Sequence, residues 1–282
     1  MPELPEVETI ARGLKPLILG KKIIQTSILY SGILHTDRND FQTNLPGSMV
    51  TDVRRRAKLL IIDLDQARHL IFHLKMTGKV WIPPAESQPD KHTHLLFTFE
   101  DGTRMFFQDQ RKFGYCALFD SPGLESWKFF AGLGPEPLLI SEQEFVGLFT
   151  PKKARIKALL LDQKHIAGIG NIYADESLFM AGIHPETPAN QVSLKRLRKL
   201  YFSLKEVLSS SIQAGGSSFR NYRDAQGYSG MFQENFLVYG KKGHCCPKCD
   251  STLESRKVAG RSSCVCPSCQ LLHPDLEGSE HE

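Results

Sequence analysis

The first residues of the chain have the composition needed for covalent chemistry. Pro2 follows Met1, and removal of that methionine, which a small second residue usually permits, would expose a secondary amine. A terminal amine has a pKa of roughly 7.7–8.0, so much of it is unprotonated and nucleophilic at neutral pH. Its attack on the anomeric carbon of a sugar would give a cationic iminium. Glu3, Glu6 and Glu8 place carboxylates beside this amine. The alternative interpretation is that Pro2 only begins a helix.

Four cysteines near the end of the chain have the spacing of a metal site. Cys246-Pro-Lys-Cys249 and Cys266-Pro-Ser-Cys269 are separated by sixteen residues. Clustered cysteines in a cytosolic protein indicate metal ligands rather than disulfides. Four thiolates at this spacing can complete a tetrahedral zinc site with no position for water, so the metal would be structural. Cys245 and Cys264 are adjacent alternatives, but neither gives matched two-residue gaps.

Two segments could bind phosphate. Gly168 and Gly170 lie in a tight turn that opens a predicted helix capped by Asn171, and five Lys and Arg between residues 152 and 164 precede it. The N–H groups and dipole of such a helix start attract anions, although a plain helix–turn–helix corner explains the glycines equally well. Residues 255–261 are predicted to form a β-hairpin that carries Arg261. Arg261 is either aimed at phosphates or an ordinary solvated arginine.

Three further segments place basic residues near turns. Arg54–Lys58 heads an apolar strand and forms either a solvated face or the lining of a groove. His73–Gly78 and Asp109–Gly114 each carry a bulky apolar residue, Met76 or Phe113, beside basic residues. Apolar wedges with arginine could fill the gap left by an everted base. Periodicity alone favours Met76 and Phe113 as core residues instead.

The elements that must position these residues change along the chain. Apolar residues from Val7 to Ile18 recur with a helical period, and Gly20 fits the end of that helix. A strand-like pattern then runs from residue 22 to about 118, with Asp101-Gly102 as a hairpin turn, and predicts a β-sandwich behind one leading helix. The predicted strands include Ile23–Ile28, Leu59–Leu64, His69–Leu74, Leu95–Glu100 and Thr103–Phe107.

The second half is predicted to be helical. A stretch rich in Pro and Gly at 120–139 has the composition of a linker. The Gly/Ser/Asn-rich segment Gly215–Gly230 is predicted to be a mobile loop, and loops of this length are often functional. The predicted helices are Ser141–Phe149, Lys153–Leu161, Asn171–Ala181 and Ser193–Ala214.

Length, composition and charge restrict the class of protein. A chain of 282 residues that is 41% hydrophobic can bury real cores and is predicted to hold two domains. No apolar run approaches the length of a membrane span and the N-terminus is acidic, which predicts a cytoplasmic protein. Residues 151–273 carry 18 Lys and Arg against 9 Asp and Glu, whereas residues 1–150 carry 17 against 18. This basic half predicts a nucleic acid partner, unless it is merely a solvated surface.

Taken together, the motifs resemble one family in their identity and order. Six motifs follow the order found in bacterial formamidopyrimidine-DNA glycosylases, and they cover residues 2–270. They are the start Pro2–Glu8, the strand with Lys58, His73–Gly78, Asp109–Gly114, Gly168–Asn171 and the cysteine pairs. The resemblance implies an α+β fold: an N-terminal β-sandwich at 1–132, a helix–two-turn–helix domain at 133–234 and a zinc finger at 235–273. A disordered tail at 274–282 would follow. The resemblance also implies a monomer that binds double-stranded DNA with a damaged base and holds one structural Zn²⁺.

The resemblance further implies base excision of oxidised purines, such as 8-oxoguanine and formamidopyrimidines, and strand cleavage by β- and δ-elimination. Pro2 would be the nucleophile on C1′, Glu3 the general acid/base and Glu6 a supporting residue. Lys58 and Arg261 complete the catalytic set that the resemblance implies, Lys58 near the lesion and its phosphate and Arg261 on the phosphates that flank the lesion. The matched DNA contacts are His73, Met76, Arg111, Phe113, Lys157, Asn171, Arg220 and Tyr222, and the matched metal ligands are Cys246, Cys249, Cys266 and Cys269.

Two other functions stay open at this point. The nearer one is an endonuclease VIII-like glycosylase for oxidised pyrimidines, against which Leu4 and the set of Met76, Arg111 and Phe113 argue by resemblance. The other is a non-catalytic zinc-finger protein that binds DNA. That function explains the basic half and the cysteines but not the carboxylates around Pro2. If Met1 stays on the chain, the Pro2 nitrogen is an amide and cannot act as the nucleophile.

Overall fold

A computed structural model describes residues 1–218 and 222–272, which form two compact units. The first unit contains residues 1–132 and 211–233, and the second contains residues 133–210 and the described residues from 234 onward. The chain therefore leaves the first unit, builds much of the second, and returns to the first before it completes the second. Within the described ranges, no helix combines the length and the apolar character that crossing a bilayer requires.

The first unit is a β-sandwich with a leading helix, as the sequence predicts. One antiparallel sheet has four strands in the order first, sixth, seventh, fifth, and the other has the order second, third, fourth, eighth. The elements are α1 (Leu4–Ile18), β1 (Ile23–Ile28), α2 (Arg38–Asn44), β2 (Val50–Arg56), β3 (Leu59–Leu64), β4 (Arg68–His73), β5 (Gly78–Trp81), β6 (Thr93–Phe99), β7 (Arg104–Asp109), β8 (Tyr115–Asp120), α3 (Ser121–Ser126) and α4 (Lys128–Ala131).

Apolar side chains of both sheets and of α1 form the core of this unit. Phe72 of β4 lies 5.9 Å from Phe97 of β6 and 5.3 Å from Phe107 of β7, measured between ring centroids. The apolar face of α1, including Val7 and Leu14, packs into the same cluster. Each fully buried side chain of this kind contributes about 1.5–3 kcal/mol. The core therefore anchors α1, and with it the N-terminus, to the sandwich.

Two local predictions differ from the structure. The strand-like stretch is interrupted by α2, where the Asp37 carboxylate accepts the N–H groups of Asn39 and Asp40 at 2.8 and 3.1 Å. The predicted linker at 120–139 contains α3 and α4, and the Asp120 carboxylate accepts the N–H of Gly123 at 2.8 Å. In α2 and α3 a capping aspartate begins a helix that is too short to show a periodic pattern.

The second unit is mainly helical and ends in a hairpin. The helices predicted for the second half of the chain begin and end within one residue of the observed ones, with one exception. Helix α6 begins at Ile156, three residues later than predicted, because Arg155 pairs with Pro188 in extended conformation. The last turn of α8 already belongs to the first unit. The elements are α5 (Glu142–Phe149), α6 (Ile156–Leu161), α7 (Asn171–Ala181), α8 (Leu194–Gln213), β9 (Glu254–Val258) and β10 (Arg261–Val265).

A buried carboxylate on α7 holds the chain that leads to β9. Glu176 accepts the N–H groups of Leu237, Val238 and Tyr239 at 2.8, 3.0 and 2.7 Å. Burial raises the pKa of Glu176, and these three donors act against that rise. A carboxylate removed from water needs such donors, so residues 237–239 are fixed against α7.

Gly13 of α1 allows a close approach of the returning segment. A Cβ atom at Gly13 would lie 2.9 Å from the Cβ of Ala225. We predict that Gly13→Ala lowers the free energy of unfolding by about 1–3 kcal/mol, because overpacking outweighs the gain in helix propensity of roughly 1 kcal/mol. Urea unfolding would measure the change.

Gly147 of α5 is the matched control, since a Cβ atom there would meet nothing within 4 Å. We expect Gly147→Ala to raise the free energy of unfolding by up to about 1 kcal/mol. If Gly13→Ala also stabilised the protein, the contact with Ala225 would be looser than the structure indicates.

Candidate functional site

The start of α1 gathers the residues predicted to do covalent chemistry. Pro2 is buried, and Glu3 is the N-cap residue of the helix. The N–H of Glu3 donates to Oε2 of Glu6 at 2.8 Å, and the two glutamates are only 3% and 2% exposed. Negative charge is favoured at a helix N-terminus. The structure thus places Pro2, Glu3 and Glu6 at one buried helix start.

Glu6 also binds the segment that returns to this unit. Its Oε1 accepts the N–H of Ser217 at 2.8 Å, and its carbonyl oxygen accepts the hydroxyl of Tyr222 at 3.3 Å. Burial and then the nearby Glu6 charge raise the pKa of Tyr222, so its hydroxyl stays protonated as a donor. One residue therefore fixes the N-terminal residues and also the base of the predicted loop Gly215–Gly230.

The two ends of that loop are held together by the backbone. Ser217 pairs with Met231 in an antiparallel bridge, and the N–H of Phe232 donates to the carbonyl oxygen of Gly216 at 3.0 Å. A Cβ atom at Gly230 would collide with the carbonyl oxygen of Gly216. Glycine is therefore required where the two strands of the chain cross, and the base of the loop is a fixed structure.

Lys58 lies at the tip of a braced hairpin, in the two-residue turn between β2 and β3. Its side chain is buried. Arg54 pairs with Asp63 at 2.5 Å, and Arg55 pairs with Glu8 at 2.9 Å. Both arginines thus brace the hairpin, and Arg55 ties it to α1. This arrangement differs from the alternative prediction that Arg54–Lys58 forms a solvated face.

Asp109 joins the two segments that carry the apolar wedge residues. Its carboxylate accepts the hydroxyl of Thr77 and the N–H groups of Arg111 and Gly114, the last two at 3.1 and 2.7 Å. Phe113 is 55% exposed, and the Arg111 guanidinium carbon lies 4.6 Å from its ring centroid. An aromatic ring this exposed is not a core residue, so the alternative interpretation of Phe113 as part of the core is wrong.

His73 and Met76 lie in the first of these two segments. Met76 is half-buried, whereas His73 is buried and its Nδ1 accepts the N–H of Lys75 at 3.1 Å. Burial, followed by the charges of Lys75 and Lys58, lowers the pKa of His73 to about 3. His73 is therefore neutral at pH 7, and it could meet DNA only as a hydrogen-bonding group, not as a cation.

In the second unit, the Asn171 side chain bonds to Ser262, the residue that follows Arg261 in β10. The predicted cap was wrong: Gly170 is the N-cap of α7, and Asn171 is its first helical residue. The Asn171 side chain is used elsewhere, because its Nδ2 donates to the carbonyl oxygen of Ser262 at 2.8 Å. Arg261 precedes Ser262 and begins β10 after the Ala259-Gly260 turn, so the hairpin prediction is correct.

Lys157 does not reach the surface in this structure. The resemblance implies a DNA contact for it, but its side chain is completely buried. Its Nζ donates to Oδ1 of Asp175 at 2.6 Å and to the hydroxyl of Ser263 at 2.5 Å. A lysine charge that leaves water requires such a partner, so Lys157 joins α6 and α7 to β10.

The four predicted cysteine ligands form one cluster that could hold a metal ion. Their sulfur atoms all lie within 4.8 Å of one another. The N–H groups of Lys248 and Cys269 donate to the sulfurs of Cys246 and Cys266 at 3.4 and 3.3 Å. Cys245 and Cys264 do not belong to the cluster. Its members are Cys246, Cys249, Cys266 and Cys269.

Apart from Glu6, the residues that support these sites were not predicted from the sequence. Asp109 lies inside a recognised motif, but nothing in its spacing shows that it binds the backbone of its own loop. Asp175 follows Asn171 by four residues on α7, and that helical spacing is a signal that could have linked them. Ser263 carries no such signal. Arg220 and the tail at 274–282 lie outside the described residues.

The chain is similar to known proteins over nearly its whole length. The family models described as formamidopyrimidine-DNA glycosylase N-terminal domain and H2TH domain match residues 1–116 and 133–223. The formamidopyrimidine-DNA glycosylase of Bacillus subtilis (strain 168) is 41% identical over 278 residues, covering 96% of this chain and 99% of that protein. A solved complex of Lactococcus lactis Fpg with DNA containing an abasic site has a TM-score of 0.89 at 36% identity, covering 95% and 99% of the two chains. A complex of MutM with DNA containing carbocyclic 8-oxo-G has a TM-score of 0.88 at 36% identity, covering 96% and 100%.

Glu6 and Glu144 occupy the same position in the first turns of α1 and α5, where each accepts the N–H of the N-cap residue. We predict that Glu6→Gln lowers the free energy of unfolding by about 1–3 kcal/mol. The reason is that a carboxamide has one acceptor oxygen and cannot serve the N–H groups of both Glu3 and Ser217. Urea unfolding would measure the loss, and hydrogen exchange at the Ser217 amide should become faster.

The exposed Glu144 provides the control. Glu144→Gln keeps a residue that can close the same capping arrangement, so we expect a change of less than about 0.5 kcal/mol. Equal losses in the two variants would contradict the double role of Glu6.

Proposed function

The chain belongs to the formamidopyrimidine-DNA glycosylase family, and on this premise we propose that it removes oxidised purines from duplex DNA and then cleaves the strand. The proposed substrates include 8-oxoguanine and formamidopyrimidines, and the protein would act as a monomer. The observation that carries the proposal is the grouping of Pro2, Glu3 and Glu6 at the buried start of α1. The damaged DNA in the similar solved complexes supports the same substrate class.

The proposed chemistry begins after Met1 has been removed. The Pro2 nitrogen forms a bond to C1′ of the damaged nucleotide, while the bond from C1′ to the base breaks and the base takes the electron pair. Glu3 acts as the general acid/base of both base release and ring opening. Its proton goes to O4′ as the C1′–O4′ bond breaks, and the Pro2 N–H proton goes to the departing base, which leaves an iminium between Pro2 and C1′. Loss of a C2′ proton then expels the 3′ phosphate, and a second elimination expels the 5′ phosphate. Glu6 supports these steps by holding the N–H of Glu3.

Lys58, Asn171 and Arg261 would contact phosphates of the DNA. Lys58 is carried by the hairpin between β2 and β3, whereas Asn171 and Arg261 flank Ser262 in the second unit. Such contacts position the duplex without reading its sequence. The neutral His73 would add a hydrogen bond rather than a charge.

Eversion of the damaged base costs a few kcal/mol and needs compensation. Met76, Arg111 and Phe113 would fill the space that the base leaves, and the exposure of Phe113 supports this role. Tyr222 and Arg220 would contact the everted nucleotide from the loop Gly215–Gly230. Tyr222 lies at the base of that loop, bound to Glu6.

We propose that the cysteine cluster holds one structural zinc ion. Four sulfurs bound to zinc at about 2.3 Å would lie roughly 3.8 Å apart. The separation between the sulfurs of Cys246 and Cys269 is 3.9 Å, and that between Cys249 and Cys266 is 3.4 Å, so the donor set fits the ion. A metal with four thiolate ligands has no open position, and it would stabilise the fold around β9 and β10 rather than take part in the reaction.

Borohydride trapping tests the nucleophile and the substrate class together. We expect the protein to form a covalent adduct with duplex DNA containing 8-oxoguanine, mapped by mass spectrometry to Pro2, because reduction makes the iminium permanent. Glu3→Gln keeps the amine, so it should still be trapped on DNA with a preformed abasic site. It should release 8-oxoguanine at least about 100-fold more slowly, because the proton donor is missing.

An adduct at another residue, or a permanently retained Met1 in fully active protein, would contradict the role of Pro2. Faster excision of thymine glycol than of 8-oxoguanine in the same duplex would favour the alternative activity on oxidised pyrimidines.

Arg261→Ala tests the proposed phosphate contact. We expect it to weaken DNA binding by about 1.5–3 kcal/mol and to reduce the slope of log affinity against log salt concentration by about 1. The loss should be the same for every flanking sequence, because phosphates carry no sequence information. Asn171→Ala should also weaken binding but leave the salt slope unchanged, since its side chain is neutral. Fluorescence anisotropy over a salt series would measure both, and a loss confined to one flanking sequence would count against the assignment.

A further inference from the structure

Three consecutive residues of β10 are each bound by a side chain from α6 or α7. The strand residue that precedes these three is Arg261, which is exposed. The bonds are Asn171 Nδ2 to the Ser262 carbonyl oxygen at 2.8 Å, Lys157 Nζ to the Ser263 hydroxyl at 2.5 Å, and Cys264 N–H to Asp175 Oδ2 at 3.3 Å.

Asp175 connects two of these bonds, because its other oxygen pairs with Lys157 at 2.6 Å. Lys157 and Ser263 are completely buried, and Asp175 is 2% exposed. Burial raises the pKa of Asp175 to about 6 even though Lys157 acts in the opposite direction. A buried ion pair adds little net stability compared with well-packed apolar residues of similar size. The pair is therefore better explained by what it positions than by what it stabilises.

The ion pair and its hydrogen bonds to β10 fix the register of that strand. Arg261 and Ser263 are two residues apart, so they lie on the same face of the strand. That face is covered at Ser263 and open at Arg261. A slip of one residue would turn the Arg261 side chain to the opposite face and would break the bonds to Lys157 and Asp175. The buried bonds thus determine the direction in which Arg261 points.

We propose that Asp175 and Ser263, acting through Lys157, are positioning residues that hold Arg261 in the direction from which it meets a DNA phosphate. The proposal rests on the proposed function, since it assumes the phosphate contact of Arg261. Neither Asp175 nor Ser263 touches DNA in this arrangement. Lys157 accordingly influences DNA binding from inside its unit rather than by direct contact.

Ser263→Ala is the most informative variant, because it removes one hydroxyl and leaves Lys157 paired with Asp175. We expect it to bind duplex DNA carrying a tetrahydrofuran abasic-site analogue roughly fivefold more weakly than the unchanged protein. Ser177→Ala is the matched control. Ser177 is also completely buried, but its hydroxyl donates at 3.3 Å to Ala174 within the same helix, so its removal should leave the affinity unchanged.

A double-mutant cycle with Arg261→Ala shows whether the effect passes through Arg261. In the Arg261→Ala background, Ser263→Ala should cause no further loss of affinity, since the residue that it positions is gone. Full affinity of Arg261→Ala would refute the phosphate contact itself. If Arg261→Ala does weaken binding, the positioning role is wrong when Ser263→Ala costs the same with or without Arg261, or costs no more than Ser177→Ala.

A second variant separates positioning from stability. Lys157→Met combined with Asp175→Leu replaces the ion pair by apolar side chains, a change that often preserves or raises stability. We expect an unchanged or higher melting temperature together with weaker binding of the same abasic-site duplex. A folded double variant with full affinity would overturn the proposal.

Discussion

Glu6 carries a carboxylate that is removed from water, and such a group is stable only while its oxygens accept hydrogen bonds. One oxygen accepts the N–H of Glu3, and the other accepts the N–H of Ser217. The first donor lies beside Pro2, and the second stands at the base of the loop Gly215–Gly230. The start of α1 and the base of that loop therefore depend on the same carboxylate. Movement of either one would break a hydrogen bond that Glu6 accepts.

Other buried carboxylates also bind backbone N–H groups in this structure. Asp109 gathers the N–H groups of its own turn, and Glu176 gathers those of residues 237–239. Asp175 uses one oxygen for a backbone donor and the other for Lys157. Turns and connections have no ladder of backbone bonds to fix them, so buried carboxylates supply the missing acceptors. The exposed groups, Phe113 and Arg261, lie next to backbone that is fixed in this way.

The regular elements were predictable where local pattern alone determines them. The observed bounds of β1 and β3 match the predicted strands Ile23–Ile28 and Leu59–Leu64, and the cysteine cluster follows from spacing. Helices α2, α3 and α4 were not predictable, because each is too short to show a period, and α2 and α3 begin only at a single capping aspartate. The candidate site divides in the same way. Residue types were enough to make Pro2, Glu3 and Arg261 candidates, but the burial of Lys157 and the hydrogen-bond partner of Asn171 depend on tertiary contacts that no local pattern contains.

The first unit is assembled from two stretches that are far apart in the sequence. During synthesis, residues 211–233 leave the ribosome only after the whole of 133–210, so a nascent chain that ends at residue 132 lacks the Ser217 donor that Glu6 requires. Enzymatic removal of Met1 can occur early in translation, but alignment of the new terminus must wait until the polypeptide is nearly complete. Alignment of the proposed nucleophile is thus a late event coupled to translation, and a fragment limited to the sandwich would carry Pro2, Glu3 and Glu6 without the hydrogen bond from Ser217.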